Sequence, residues 1–362
     1  MHIKPLLLFT LISSSLSPAF ASILPAQIKT LEQATAKCFD EARNPDSGNL
    51  IRCEVSAVSK VDDTLILVND KPFPGKGLSP VFSLALQNNK ISEAVPDYLD
   101  TPVITHARKF EALTTTLDNQ YFIASTAFNR VGTAGDKQFD RYNTIVYWPV
   151  GKPERAKVAS PSVREEVTSS IGLREQISEA LGAPFFQIEG MSVAPGNRLL
   201  MGIRKQGDNH ESARDVFKVL AATFILEDEV LQFTEPFKLI FEFTPNVPGQ
   251  EFEELGLSSI EFDRYNNDRF YALTSFEDEH TISGYLWSIP LEGLLQGDSA
   301  SPQLVRAPDG LALRFANKPE GLEVLDHHYL LIVHDDDRVQ VESSPEGIAS
   351  KANEFAYTVV GF

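Results

Sequence analysis

Four glutamates in a shared local setting carry the first chemical signal. Glu54, Glu111, Glu189 and Glu320 each open a short run rich in apolar residues, and Ser258 stands at the corresponding place in a fifth run. Each run is answered by a second one whose end supplies a polar group: Asp70, Ser125, Arg204, Ser275 and Asp335. Carboxylates held within a few ångströms of one another repel and raise each other's pKa unless a cation sits among them. Oxygen donors without a His or Cys cluster suit a hard cation, Ca2+ before Mg2+. Glu54, Glu111, Glu189, Glu320 and Asp70 are therefore the candidate metal ligands. The plainer role open to the same glutamates is structural, each accepting backbone N–H bonds from a neighbouring strand.

Cationic and amide groups follow two of these runs. Asn129 and Arg130 come after the second, and Arg204 and Lys205 end the third, so the four are candidates to hold an anionic substrate. Salt bridges to the nearby glutamates are the alternative. His334 and Asp335 open the densest polar cluster, His334-Asp335-Asp336-Asp337-Arg338. A His oriented by an Asp can act as a general base, so these two are the candidate catalytic pair, with a surface ion pair as the competing reading. The Asp run lacks the glycine and terminal glutamate offsets of an EF-hand, and Asn44 to Asn49 reads as a turn. No nucleophile elbow, zinc-protease, phosphate-loop or dinucleotide fingerprint occurs.

The elements that must position these groups repeat. Glu54 to Val58, Glu111 to Thr114, Glu189 to Val193, Ser258 to Phe262 and Glu320 to Val324 each lead through an Asn, Asp, Gly or His turn into a second apolar run. That grammar describes β-hairpins. They recur at roughly sixty to eighty residues, and one or two further strand-like runs follow most of them, which is the length and content of a propeller blade. The fold expected is therefore all-β, a single β-propeller over residues 22–362, with five blades and six as the alternative count. A short last unit and the residues before Glu54 together make about one repeat, so a strand near Ile23 to Leu31 should close the ring. The longest interval is explained by a helical insertion over about 161–183, with Ser162 as N-cap and Gly182 at the stop.

Composition sets the compartment and excludes partners. The chain has 362 residues, 50 Asp+Glu against 32 Lys+Arg, and a formal charge of −18, which repels phosphate backbones and argues against nucleic-acid binding. Residues 1–21 combine a basic start, a short apolar run and Ala19-Phe20-Ala21, the pattern of a cleaved export signal, and no other stretch approaches membrane-spanning length. A periplasmic or secreted protein follows. In that setting Cys38 and Cys53 are expected to pair, with two buried thiols as the alternative.

The phrases Ile188-Glu189-Gly190-Met191-Ser192-Val193 and Lys318-Pro319-Glu320-Gly321-Leu322-Glu323, with His334 to Asp337 after the second, resemble the Glu-Gly hallmarks of bacterial phytase-like ("esterase-like activity of phytase") propellers. Phe110 to Leu113 and Ser125 to Arg130 fit the same grammar, and the resemblance spans about residues 54–340. It implies a propeller whose channel acids, here Glu54, Glu111, Glu189 and Glu320, hold calcium or another divalent cation against a phosphate ester or lactone. The lysine- and acid-rich motifs of true β-propeller phytases are missing, which separates this chain from phytate hydrolysis. The function expected is an exported, cation-dependent hydrolase of a small anionic ester. The alternative is a non-catalytic propeller that binds a ligand or protein partner, with structural glutamates.

Overall fold

A computed structural model of the protein describes residues 28–44, 48–73, 78–131, 137–250, 254–278, 281–336 and 347–362. The stretch expected to be an export signal (residues 1–21), Ile23 to Gln27, the tip of the Asn44 to Asn49 turn, and Asp337 with Arg338 lie outside the described residues. Five antiparallel sheets of at least four strands account for most of the chain. Their innermost strands are Val55–Val61, Phe110–Thr115, Phe185–Ala194, Gly256–Phe262 and Pro319–Val324. Each packs on the next and the last packs on the first, closing a five-bladed propeller.

The hairpins form where the turn residues allow them. Asp62, Asn119, Asn197 and Asn267 take positive φ between inner strand and partner, a conformation that Asn and Asp tolerate better than other non-glycine residues. The apolar residues then sort themselves by blade. Five buried clusters occur, and each lies between two neighbouring blades; Ile123, Phe186 and Met201 fill one such gap, and Tyr285, Phe241 and Ile260 another. Blades meet face to face through apolar side chains, so polar groups on the inner strands are left to the axis.

The ring is closed by strand Lys29–Lys37, which pairs with Glu354–Gly361 at the outer edge of the fifth blade. The closing strand thus lies later than the Ile23 to Leu31 anticipated from sequence. Cys38 and Cys53 form a disulfide, joining the end of this strand to the start of the first blade. Among the described residues there is no sixth blade: the long interval contains a small hairpin, Ser162–Arg164 with Val167–Ser169, followed by helix Ile171–Leu181. Ser162 is therefore a strand residue, and Ser170 precedes the helix, which stops at Gly182 in the left-handed conformation. Among the described residues no helix is long and apolar enough to cross a membrane.

Candidate functional site at the mouth of the propeller axis

Every inner strand carries a bulge at the same point. The pairing skips one residue between Val55 and Ala57, Phe110 and Ala112, Ile188 and Gly190, Leu257 and Ser259, and Pro319 and Gly321. The extra residues are Ser56, Glu111, Glu189, Ser258 and Glu320, all buried. A bulge re-aims its side chain away from the regular alternation, and here it does so five times around one axis. Gly190 and Gly321 follow two of these bulges because a Cβ would press on the backbone of the next inner strand: at 3.1 Å from Ile260 N for Gly190, and 2.9 Å from Ala57 Cα for Gly321.

This register corrects one candidate. The bulge residue of the first blade is Ser56, and Glu54 lies two residues earlier, level with Lys109, Gln187, Gly256 and Lys318. Glu54 is ion-paired with Lys71 at the rim and is not equivalent to the other three glutamates. The sequence reading also missed a second periodic signal. Two residues before each bulge glutamate stands a donor that reaches it: Lys109 to Glu111 (2.5 Å), Gln187 to Glu189, and Lys318 to Glu320 (2.7 Å). The pattern donor-x-Glu is visible in the sequence at Lys109, Gln187 and Lys318.

The mouth is a cavity of about 510 Å³ lined by Asp70, Lys109, Glu111, Asn129, Arg130, Glu189, Arg204, Lys205, Lys318, Glu320 and Asp335, among others. Nine of the sequence candidates thus meet in one place. Lys109 Nζ also contacts Asp70 at 2.8 Å, and Lys318 Nζ contacts Glu277 at 2.8 Å. Arg204 Nη1 donates to Ser275 Oγ at 2.8 Å and lies 3.4 Å from Glu320 Oε1, and its Nε is 3.8 Å from Asp215. Arg204 is almost fully buried in this network, so it braces Glu320 and is poorly placed to meet a ligand. Lys205 and Arg130 are the more open cations.

Burial and like charge act together on the ring. Glu111 is held well above the usual carboxylate range by burial and then by Glu189, and Glu189 is pushed up to about 7 by burial and by Glu320. Burial opposes the charge on Lys109, Lys318 and Arg204, but the surrounding carboxylates outweigh it and hold all three protonated. Ser258 Oγ and Glu320 Oε2 are buried without a hydrogen-bond partner. Three carboxylates and two hydroxyls from five blades, partly unsatisfied, are oxygen donors alone, the type of donor that hard cations take. Among the described residues, no group of three or more His, Cys, Asp and Glu side chains is placed so that it could hold a metal ion.

The arm that carries Asn129 and Arg130 is built differently. Phe128 has φ of +55° in the chain turn that presents Asn129 and Arg130, a costly conformation for an aromatic residue. The insertion helix holds that turn: Arg174 donates to Phe128 O, to Asn143 Oδ1 (3.2 Å) and to Pro184 O (3.0 Å), while its guanidinium lies 4.5 Å from the Phe186 ring centre. Asn143 Nδ2 in turn donates to Arg130 O at 2.7 Å. Arg130 lies over Tyr142, 4.5 Å from its ring centre, with its guanidinium exposed to the cavity. Asn129 Oδ1 is buried and unpartnered.

His334 does not belong to this site. It pairs opposite Pro319 and turns into the blade, where Nε2 meets Thr358 Oγ1 at 2.9 Å. Strand alternation sends neighbouring side chains to opposite faces, so only Asp335 of the expected pair reaches the cavity. Burial pulls the imidazole down to about 3, which keeps it neutral in the fold.

The chain matches no protein-family model and no curated protein. Among solved structures it is similar to an α-L-arabinofuranosidase from Podospora anserina in complex with cellotriose, at 9% identity and a TM-score of 0.42 over 92% of this chain and 97% of that one. It is similar also to a PQQ-bound aldose sugar dehydrogenase from Streptomyces coelicolor, at 11% identity and a TM-score of 0.37 over 92% and 98%. A third is a glycosyl hydrolase from Bacteroides ovatus, at 8% and 0.37 over 88% of each chain. At these values the likeness bears on neither substrate nor mechanism, and the five-bladed architecture rests on the strand pairing itself.

Proposed function

We propose that the protein is an exported hydrolase of a small anionic ester, a phosphomonoester or a lactone, working with a divalent cation at the five bulge positions. The observation that carries this reading is the convergence of Ser56, Glu111, Glu189, Ser258 and Glu320 on one axis beneath a cavity that also holds Lys205 and Arg130. Calcium is the first choice and magnesium the second, because the donors are all oxygen and come from five separate strands. A cation bound there would polarise the scissile oxygen and acidify a bound water. The chain supplies the rest. Arg130, Lys205 and Asn129 orient the anion, and Lys109, Gln187 and Lys318 hold the glutamates in place. Asp335, the carboxylate that takes the place expected for His334, accepts the proton of the attacking water.

Isothermal calorimetry with calcium on the chain from residue 22 onward, paired with assays on aryl phosphates and lactones, tests this. Glu189→Gln should abolish calcium binding. Asp335→Asn should keep binding and lower turnover about 10²- to 10⁴-fold, the usual worth of a general base. Absence of calcium binding by the unaltered chain would sink the reading. One observation favours a non-catalytic propeller instead: each ring glutamate already has an internal donor. That second reading predicts a structural ion or none, and no turnover of any ester even where calcium binds.

A further inference from the structure

The mouth holds more positive charge than its ion pairs engage. Seven cationic side chains and six carboxylates line the cavity, in a chain whose formal charge is −18. Lys71, Lys109, Arg204, Lys205 and Lys318 each meet a carboxylate, the loosest pair being Lys205 with Asp215 at 3.8 Å. Among the described residues, Arg108 and Arg130 meet none. Arg108 is half-buried and donates from Nη1 alone, to Thr105 O and to Ala107 O at 2.9 Å, so its Nε and Nη2 have no protein acceptor among the described residues. Arg130 donates from Nη1 to the Tyr142 hydroxyl at 3.3 Å and otherwise lies against that ring.

Backbone bonds fix the two guanidiniums in one neighbourhood. Arg108 N donates to Arg141 O at 3.0 Å, Phe128 N to Tyr142 O at 2.9 Å and Ala127 N to Lys109 O at 2.9 Å, so the segments that carry Arg108, Arg130 and Tyr142 are bonded to one another. Lys109 and Phe128, close to the two arginines in the chain, have φ of +63° and +55°. Non-glycine residues stay in that region only where their surroundings over-determine them, and such residues cluster at ligand clamps. Burial and then Arg141 act against the charge on Arg108, and Tyr142 rather than a carboxylate supports it. A carboxylate offers a guanidinium two oxygens and one charge. A phosphoryl group offers three oxygens and up to two charges, which matches two forks that reach one cavity from separate segments. We propose that Arg108 and Arg130, both beside Tyr142, form a paired clamp for the terminal phosphoryl dianion of the substrate, so that the mouth takes phosphomonoesters and not uncharged lactones. This rests on the reading of the mouth as a substrate site, but the clamp needs neither calcium nor turnover to bind its anion.

Calorimetric titration of the chain from residue 22 onward with inorganic phosphate, at pH 8 in EDTA, tests the clamp with no metal present. The expected result is one saturable site, with no binding of acetate at the same concentrations. Arg108→Gln and Arg130→Gln should each weaken phosphate binding tenfold or more, and Arg108→Lys, which keeps the charge but not the fork, should recover only part of the loss. Arg130 is exposed, so Arg130→Gln keeps the test in force if Arg108→Gln does not fold. No phosphate binding by the unaltered chain, equal binding of acetate, or phosphate affinity unchanged in either Gln variant would overturn the proposal. Calcium titration of the same proteins separates the two readings. Phosphate binding lost with calcium binding kept upholds the clamp, and phosphate binding by a chain that takes up no calcium upholds the clamp while removing the divalent cation from the proposed function.

Discussion

At the scale of single residues, His334 shows how one side chain can be chemically suggestive and structurally committed. Its ring is buried, its Nε2 is engaged by Thr358, and its pKa falls to about 3 because burial disfavours the imidazolium. In the unfolded chain the same ring titrates near 6.5. The unfolded state therefore binds more protons between those values, and the contribution of His334 to stability is full above about 6.5 and lost as pH falls toward 3. Replacing His334 with Gln should flatten the acid limb of a denaturation-midpoint profile by a few kcal/mol and leave ester turnover unchanged. A turnover loss with an unaltered acid limb would restore the residue to the chemistry. The buried glutamates act in the opposite sense: Glu189 and Glu323, each raised to about 7, weaken the fold as pH rises from about 4.5 toward 7. The separation of these trends requires the single substitution.

At the scale of elements, the bulge decides which residues reach the axis, and the small residue after it decides how closely two inner strands approach. A Cβ at Gly321 would stand 2.6 Å from Val333 Cγ2, 2.9 Å from Ala57 Cα and 3.1 Å from Val58 N. Two of those three atoms are backbone of the neighbouring blade and can move only with it. Gly321→Ala should therefore cost about 1–3 kcal/mol, the range for overpacking, read from the urea midpoint. It should also weaken calcium binding, because Glu320 is the adjacent bulge residue; an unchanged midpoint would mean that the seam between blades five and one is loose. The hairpins were legible because their signals are local: alternating apolar residues and a turn residue able to take positive φ. The bulges were not. A one-residue insertion leaves no mark on composition, and in the first blade it placed Ser56 where the eye finds Glu54. The same limit hid His334, whose face depends on strand parity, while Asp335, Arg130 and Lys205 line one cavity. The insertion helix was recognised from Gly182, but its start fell eight or so residues late because a short hairpin intervenes at Ser162 to Ser169.

At the scale of the whole molecule, a propeller is a ring that must be closed without a covalent bond, and its two chain ends do that work here. Strand Lys29–Lys37 pairs along nearly its full length with Glu354–Gly361, so the fifth blade is complete only when both ends of the chain are in place. The Cys38–Cys53 disulfide then fixes the end of the closing strand to the start of blade one, across a sequence separation of 15. Cross-linking a loop of that length restricts the unfolded chain by about 3 kcal/mol, a model-dependent figure. Sequence alone suggested the pairing of the cysteines, and the structure adds where the bond acts: between the outer, closing strand of the fifth blade and the start of the first. Replacing both cysteines with Ser should lower stability by about 2–4 kcal/mol. The loss should be localised: hydrogen exchange should quicken first in Lys29–Lys37 and Glu354–Gly361, while strands such as Phe185–Ala194, on the far side of the ring, keep their protection. Uniform acceleration across all five blades would mean that the ring opens only as a whole, and that the disulfide stabilises the fold without guarding the seam in particular.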